Sequence, residues 1–172
     1  SDFGADSGFA GSIDEFRIYN YTLSESEIYG NTLAGPDSLT SDPADIFRWT
    51  PAAGGTYAFN NAGGQNNWDH TGSFPDATGA SATMVGNLTG NQTINLNTTA
   101  TLGNLTIGDA DGSHGFLIAP GTGGVLEMKA STGLNASFTQ SSTSGSNEIS
   151  APLLLSSNTE LANTSSTATL TL

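Results

Sequence analysis

Residues 91–129 read NQTINLNTTATLGNLTIGDADGSHGFLIAPGTGGVLEMK, and this stretch decides the predicted fold class. Apolar residues recur in pairs with one residue between them, and Gly, Asn, Asp, Ser or Pro separates one pair from the next. The pairs are Ile94 and Leu96, Leu105 and Ile107, Phe116 and Ile118, and Leu126 and Met128. Alternation with a period of two, interrupted by turn-forming residues, is typical of half-buried β-strands. The stretch therefore predicts a series of short strands.

The spacing of these strands adds a second prediction. Ile94, Phe116 and Phe138 lie 22 residues apart, and a second series lies 21 residues apart. That second series is Ile107, Met128, Ile149 and Leu170. Two series of nearly equal period indicate a chain that coils and stacks like residues on like, a β-solenoid. We therefore expect an all-β protein with right-handed parallel β-helix rungs, in which the second series forms one buried column.

The composition agrees with this class and excludes several functions. Of 172 residues, 35% are hydrophobic and only 11% are charged, and Gly is frequent. Three basic residues against 16 acidic ones give a formal charge of −13, which repels nucleic acid and anionic lipid but attracts a hard cation such as Ca²⁺. No cysteine is available for a disulfide or a thiolate metal site. No apolar run approaches the roughly 20 residues of a membrane helix, so we expect no membrane insertion.

Residues 1–34 carry a separate pattern. The apolar positions of FAGSIDEFRIYNY predict a strand over residues 13–21, and Ser24-Glu25-Ser26-Glu27 forms a capping box that predicts a short helix. The run from Gly11 to Ile28 resembles the closing segment of the LamG-like (concanavalin A-like) jelly-roll family. In that family, carboxylates on such strands help to hold a structural calcium, which implies Asp14 as a ligand. One carboxylate supplies few of the about 6–8 oxygens that Ca²⁺ takes, and the alternative is a solvent-facing Asp14.

Two prolines and three aspartates in residues 35–46 predict a linker, and an aromatic segment follows at 47–90. We expect the rings of this segment to cover the open apolar end of the first rung, with Gly54-Gly55 as a hairpin turn. The predicted cap residues are Trp49, Tyr57, Phe59 and Trp68. The alternative is a sugar-stacking platform at Trp49 and Trp68, because amphipathic rings suit carbohydrate faces.

The pattern W-T, G-G, N-N-W and F-P-D-A, followed by the alternating strands of residues 91–172, resembles the autotransporter-associated β-strand repeat proteins. Those are large bacterial proteins of the cell surface or the medium, with a parallel β-helical stalk. The resemblance covers most of residues 47–172. It implies an extracellular or cell-surface location and further rungs beyond this segment.

One segment of the predicted rungs could bind a metal. Asp109-Ala110-Asp111-Gly112 is similar to the start of a calcium loop but lacks the later ligands and the distal Glu of an EF-hand. A turn rich in Asp and Gly is the alternative. His70 and His114 have no second His or Cys at ligand spacing, so we expect both at the surface.

The function we expect is structural: a stalk, adhesin or filament component of a bacterial surface, and not an enzyme. No cofactor is required, although calcium is possible. The expected partner is the remainder of a larger parent protein or neighbouring copies of the chain. The alternative is a carbohydrate-binding module, and a polysaccharide-degrading β-helix enzyme comes third. The enzyme would need several carboxylates or basic residues clustered on one face, and the predicted strands carry almost none apart from Glu127 and Lys129.

Overall fold

The computed structural model describes residues 46–172, so the predictions for residues 1–34 and Asp14 lie outside the described residues. This part of the chain is all-β, and its only helix is a 3-10 turn at Ala62–Gly64. The strands are β1 (Ile46–Arg48), β2 (Gly55–Ala58), β3 (Ser81–Gly86), β4 (Gln92–Asn95), β5 (Ala100–Leu102), β6 (Asn104–Asp109), β7 (Phe116–Ala119), β8 (Leu126–Met128), β9 (Ala136–Gln140), β10 (Asn147–Ile149), β11 (Leu153–Leu155), β12 (Thr159–Asn163) and β13 (Leu170–Thr171).

The strands form three sheets, and neighbours within each sheet are parallel. Sheet 1 has the order β1-β3-β6-β9-β12, sheet 2 the order β2-β4-β7-β10-β13, and sheet 3 the order β5-β8-β11. From β3 onward, successive strands of the chain enter sheets 1, 2 and 3 in turn and then repeat that order, whereas β1 and β2 contribute only to sheets 1 and 2. Parallel neighbours need a long crossover, and here the crossover runs through strands of the other sheets instead of a helix.

Buried and more exposed side chains alternate along the strands, as the sequence predicts. In β7, for example, Phe116 and Ile118 are buried while Leu117 between them is only half-buried. All eight apolar residues of the four predicted pairs are buried. Because each buried aliphatic or aromatic side chain contributes about 1.5–3 kcal/mol, these aligned columns are the main source of stability.

Pairing across rungs puts buried residues in columns. In sheet 1, Met84 pairs with Ile107 and Ile107 with Gln140. In sheet 2, Ile94 pairs with Ile118 and Ile118 with Ile149. The predicted single column of Ile107, Met128, Ile149 and Leu170 is therefore wrong, since these residues lie in sheets 1, 3, 2 and 2 respectively.

The predicted constant period fails because the corners differ in length. Ser81 pairs with Asn104, 23 residues later, whereas Asn104 pairs with Ser137, 33 residues later. The connection from sheet 3 to sheet 1 is Gly103 alone in one turn and residues 129–135 in the next. Strand alternation fixes which face a residue occupies, but it carries no information about loop length.

Gly54-Gly55 is not a hairpin turn, which corrects that prediction. The strands on either side, β1 and β2, belong to different sheets, and each pairs in parallel with a later strand. β1 begins at Ile46, the last residue of the predicted linker. The aromatic segment 47–90 already contributes strands to sheets 1 and 2.

Candidate functional site

The aromatic residues of segment 47–90 pack into one cluster at the end of the stack where the chain enters. The ring centroids of Trp68 lie 5.0 Å from those of both Trp49 and Phe59, with near-perpendicular planes. Trp49 is 8% exposed and Trp68 2% exposed, which confirms that both indoles are buried. A sugar stacks only on a ring face that solvent reaches, so this burial favours the cap over the platform.

The loop that carries Trp68 also covers backbone groups of the first strands. We call residues 61–77 the cap loop. In sheet 1, the Arg48 N–H donates to Oδ1 of Asp69, and the Asp69 N–H donates to the Arg48 carbonyl, both at 2.9 Å. Both outward backbone groups of Arg48 are therefore satisfied without another strand.

The same arrangement recurs in the other two sheets. In sheet 2, the Ala58 N–H donates to Oε1 of Gln65 at 2.9 Å, and Nδ2 of Asn67 donates to the Ala58 carbonyl at 2.8 Å. In sheet 3, the Thr101 N–H donates to Oδ1 of Asp76, and the Ala77 N–H donates to the Thr101 carbonyl, both at 2.9 Å. One residue in the first strand of each sheet is thus capped on both sides.

Buried amides hold the aromatic segment 47–90 to the rungs, and the pattern of the sequence alone does not reveal them. Gln92 is 1% exposed; its Oε1 accepts from Nε1 of Trp49 at 2.8 Å, and its Nε2 donates to the carbonyls of Pro51 and Ala53. Asn67 is 4% exposed and donates to Ala58. Asn and Gln in a turn-rich stretch read as surface residues, and only tertiary contacts reveal that these two are internal partners.

Asp69 lies at the junction of the cap loop and β1. Partial burial raises the pKa of its carboxyl, but the hydrogen bond from the Arg48 N–H and the contact with His70 outweigh that effect and lower the pKa below its ordinary value of 3.8. Nδ1 of His70 lies 2.7 Å from Oδ1 of Asp69, and the Arg48 guanidinium lies 3.6 Å from Oδ2. The ionised carboxylate is therefore the form that the folded protein prefers.

The predicted metal residues of the rungs, Asp109 and Asp111, do come together, and His114 joins them. One ligand atom from each of the three residues lies within 4.8 Å of the others. Asp109 is fully buried at the end of β6, while Asp111 is exposed. The hydrogen bond from Ser113 Oγ to Asp111 lowers the pKa of the Asp111 carboxyl, and the Ser113 N–H adds to the effect.

This cluster does not fit calcium. Oδ1 of Asp109 accepts from the Leu88 N–H and Oδ2 from the His114 N–H, both at 2.8 Å. Calcium takes about 6–8 oxygens and does not favour imidazole, so the cluster offers too few free oxygens. Asp109 instead joins the connection after β3 to the connection after β6, which is a structural role.

The cluster is also not arranged as a Ser-His-Asp triad. Ser113 Oγ lies 2.6 Å from both Nδ1 of His114 and Oδ1 of Asp111, which puts the serine between the other two groups. A triad needs the imidazole in the middle, with the carboxylate on its second nitrogen.

A groove of about 290 Å³ follows the starts of β4, β7 and β10 and is lined by Thr93, Leu117 and Glu148 among others. Glu148 is its one carboxylate. Glycoside hydrolysis generally uses a pair of carboxyl groups across the bond, so the groove lacks the composition of such an active site.

The last strand of each sheet contrasts with the first. β11, β12 and β13 each pair on one side only. Leu155 pairs with Met128 and Leu161 with Phe138, yet the two leucines are 49% and 42% exposed while their partners are fully buried. We call these three strands the open edge. Their core-facing leucines contact the previous rung and are uncovered on the other side.

Comparison with known proteins returns no matching family model, no matching curated protein and no matching solved structure. Within residues 46–172, none of the helical structure has the length and apolar character needed to cross a bilayer.

Proposed function

We propose that residues 46–172 form a right-handed parallel β-helix that serves as a structural segment of an extracellular or cell-surface protein, such as a stalk, adhesin or filament component. The observation that carries this proposal is the repeated entry of consecutive strands into three parallel sheets with aligned apolar columns. Right-handedness follows from the strong preference of parallel crossovers for that hand. The resemblance to autotransporter-associated repeats supports the surface location.

The polar chemistry of the described residues supports a mechanical role over a catalytic one. Two of its buried polar side chains join loops to rungs: Gln92 holds Trp49, Pro51 and Ala53, and Asp109 joins two corners. Oε1 of Gln140 accepts from Nδ2 of Asn147 at 2.9 Å within the core. Side chains committed to internal hydrogen bonds are poorly placed to bind a substrate, a sugar or an ion.

The partner in this proposal is the remainder of a parent protein, and neither nucleic acid nor a lipid bilayer is a partner. The formal charge of −13 repels polyanions. The exposed side chains of Leu155 and Leu161 are apolar, so they suit contact with another apolar surface better than contact with a charged ligand. No cofactor is part of the proposal.

Immunogold electron microscopy of producing cells, with antibody raised against the purified chain, tests the proposal. Gold at the cell surface or on extended structures outside the cell is the expected result. Gold confined to the cell interior would contradict it. Pre-absorbing the antibody with the purified chain controls for non-specific labelling.

A further inference from the structure

We propose that the groove on the outer face of sheet 2 binds a basic side chain of a partner polypeptide, with the aliphatic stem of that side chain on Leu117 and its cationic end at Glu148. Lysine and arginine both have this form, an apolar stem that ends in a cation. The inference goes beyond the proposed structural role, which neither requires nor supplies a binding site on this face.

The groove crosses three successive rungs at equivalent positions. Thr93 pairs with Leu117, and Leu117 pairs with Glu148, so these three outward-facing side chains form one row across β4, β7 and β10. Neighbouring strands lie about 4.8 Å apart, which places the two ends of the row roughly 10 Å from each other. The row therefore has a hydroxyl at one end, an apolar side chain in the middle and a carboxylate at the other end.

The wall of the groove beside this row is held in place by hydrogen bonds to neighbouring rungs. Oδ1 of Asn91 accepts from the Gly115 N–H at 3.0 Å, and Oγ of Ser146 accepts from the Thr169 N–H at 3.2 Å. Because these wall groups are already fixed, a ligand would not have to order them when it binds.

Glu148 differs from the other carboxylates of the described residues. Residues 46–172 contain seven Asp and Glu side chains, and only Glu148 and Glu160 make no hydrogen bond or ion pair within this part of the chain. Glu160 lies on β12, outside the groove. The other five accept hydrogen bonds from protein N–H or O–H groups: Asp69, Asp76, Asp109, Asp111 and Glu127. The groove thus contains a carboxylate whose acceptors are all open to a ligand.

The charge of Glu148 is also not compensated by a nearby cation. Of the two described basic residues, Arg48 is in sheet 1, 3.6 Å from Asp69, and Lys129 follows β8 of sheet 3. None of the strands of sheet 2 contains Lys or Arg. The formal charge of −13 adds a long-range attraction for cations. A cationic ligand is therefore the electrostatic complement of this groove.

The half-buried Leu117 beside Glu148 specifies the rest of the ligand. Lysine and arginine lay their methylene stems on apolar surface while the charged end stays in contact with water. A bare Ca²⁺ ion would gain nothing from Leu117, and one carboxylate supplies few of the about 6–8 oxygens that it takes. A neutral sugar would leave the charge of Glu148 uncompensated. The hydroxyl of Thr93 remains available for a peptide group of the ligand.

NMR titration of the isotope-labelled full chain tests the proposal. The probe is an acetylated and amidated peptide with one lysine between pairs of glycines. Resonances of Thr93, Leu117 and Glu148 should shift and saturate at millimolar peptide, since one partly exposed ion pair contributes little affinity. The same peptide with an acetylated lysine side chain should produce no saturable shift there. Equal shifts with both peptides, or shifts spread over the acidic surface, would overturn the proposal.

Two variants separate the ion pair from general attraction to an acidic protein. Glu148→Gln should weaken binding of the lysine peptide by about fivefold, the upper range for an exposed ion pair. Glu160→Gln is the matched control, because it removes an exposed carboxylate that lies outside the groove. It should change the affinity by less than about twofold at physiological salt, which screens distant charges. Equal weakening by the two variants would overturn the site.

A third variant tests the apolar contact. Leu117→Thr keeps a residue that favours strands but removes the floor of the groove, and it should also weaken binding of the lysine peptide. Unchanged affinity in this variant would overturn the placement of the stem. Circular dichroism checks that each variant is folded; for a variant that is not, the wild-type titrations with the two peptides still decide whether the groove binds a lysine side chain.

Discussion

At the residue scale, Gly103 shows how closely two rungs approach at a corner. It forms the whole connection between β5 and β6, and its N–H donates to the Ala80 carbonyl at 2.8 Å. A Cβ at Gly103 would lie 2.6 Å from Cα of Gly79, closer than real side chains come. Glycine is therefore required at this position because there is no room for a side chain, and not because of an unusual backbone conformation.

We predict that Gly103→Ala lowers the free energy of unfolding by about 1–3 kcal/mol, the usual range for overpacking. Gly86→Ala is the matched control, because a Cβ there meets nothing within 4 Å. It should leave stability unchanged or raise it by about 0.4–1 kcal/mol by restricting the unfolded chain. Urea unfolding followed by tryptophan fluorescence measures both variants; an equal loss in both would contradict the close packing.

Asp109 is the second decisive residue. Its two carboxylate oxygens accept from the Leu88 and His114 N–H groups, and Asn would turn an N–H₂ donor towards one of them. We predict that Asp109→Asn costs about 1–3 kcal/mol of stability, because a buried donor loses its acceptor. Asp111→Asn, at an exposed carboxylate in the same turn, should cost clearly less stability than Asp109→Asn. Comparable losses in the two variants would argue against the structural role of Asp109.

At the scale of the element, the sequence predicts the cap loop only through its aromatic residues. The prediction that Trp49 and Trp68 are buried is confirmed, since large aromatics before the first rung need cover. The amide contacts of Gln65 and Asn67 were missed because residues 60–67 look like an ordinary polar turn. A side chain that bonds to an edge strand in place of a neighbouring strand does not follow the two-residue period, so the alternation of apolar and polar residues does not predict it.

The cap loop should weaken in acid because it is held to β1 by Asp69. The folded pKa of Asp69 lies below its ordinary value of 3.8, so its ionised form contributes stability above about that pH, and the contribution is lost as the pH falls through the folded pKa. We predict that Asp69→Asn lowers Tm at neutral pH and that its difference from the wild type disappears in strong acid. Thermal melts of both proteins at matched ionic strength measure this; a difference that grows on acidification would contradict it.

The turn with Asp109, Asp111 and His114 gives a prediction about metal. Asp109 is committed to two N–H donors, so millimolar Ca²⁺ should not raise Tm relative to the same protein in EDTA. Mg²⁺ at equal concentration controls for screening of the acidic surface. A calcium-specific rise in Tm that Asp111→Asn abolishes would restore the calcium hypothesis that the sequence raised.

At the scale of the whole molecule, the sequence predicts the strands and their inward faces but not their stacking. Alternation identifies the pairs Leu105 with Ile107 and Phe116 with Ile118, and all four are buried. The apparent period of 21 residues arises from strands of different sheets, because Gly103 and residues 129–135 fill equivalent corners. The corners are surface loops, whose length can vary at little cost in free energy. The spacing of hydrophobic residues therefore does not predict how long each corner is.

The central claim is the rung register, and paired spin labels test it most directly. The chain has no cysteine, so two labels can be placed cleanly on outward-facing strand positions. Thr106 and Thr139 pair in adjacent strands of sheet 1, which lie about 4.8 Å apart, whereas Thr106 and Glu127, separated by 21 residues, lie in different sheets. Strong dipolar broadening for Thr106→Cys with Thr139→Cys, and much weaker broadening for Thr106→Cys with Glu127→Cys, is the predicted result. The reverse pattern would contradict the three-sheet stack and restore the constant period.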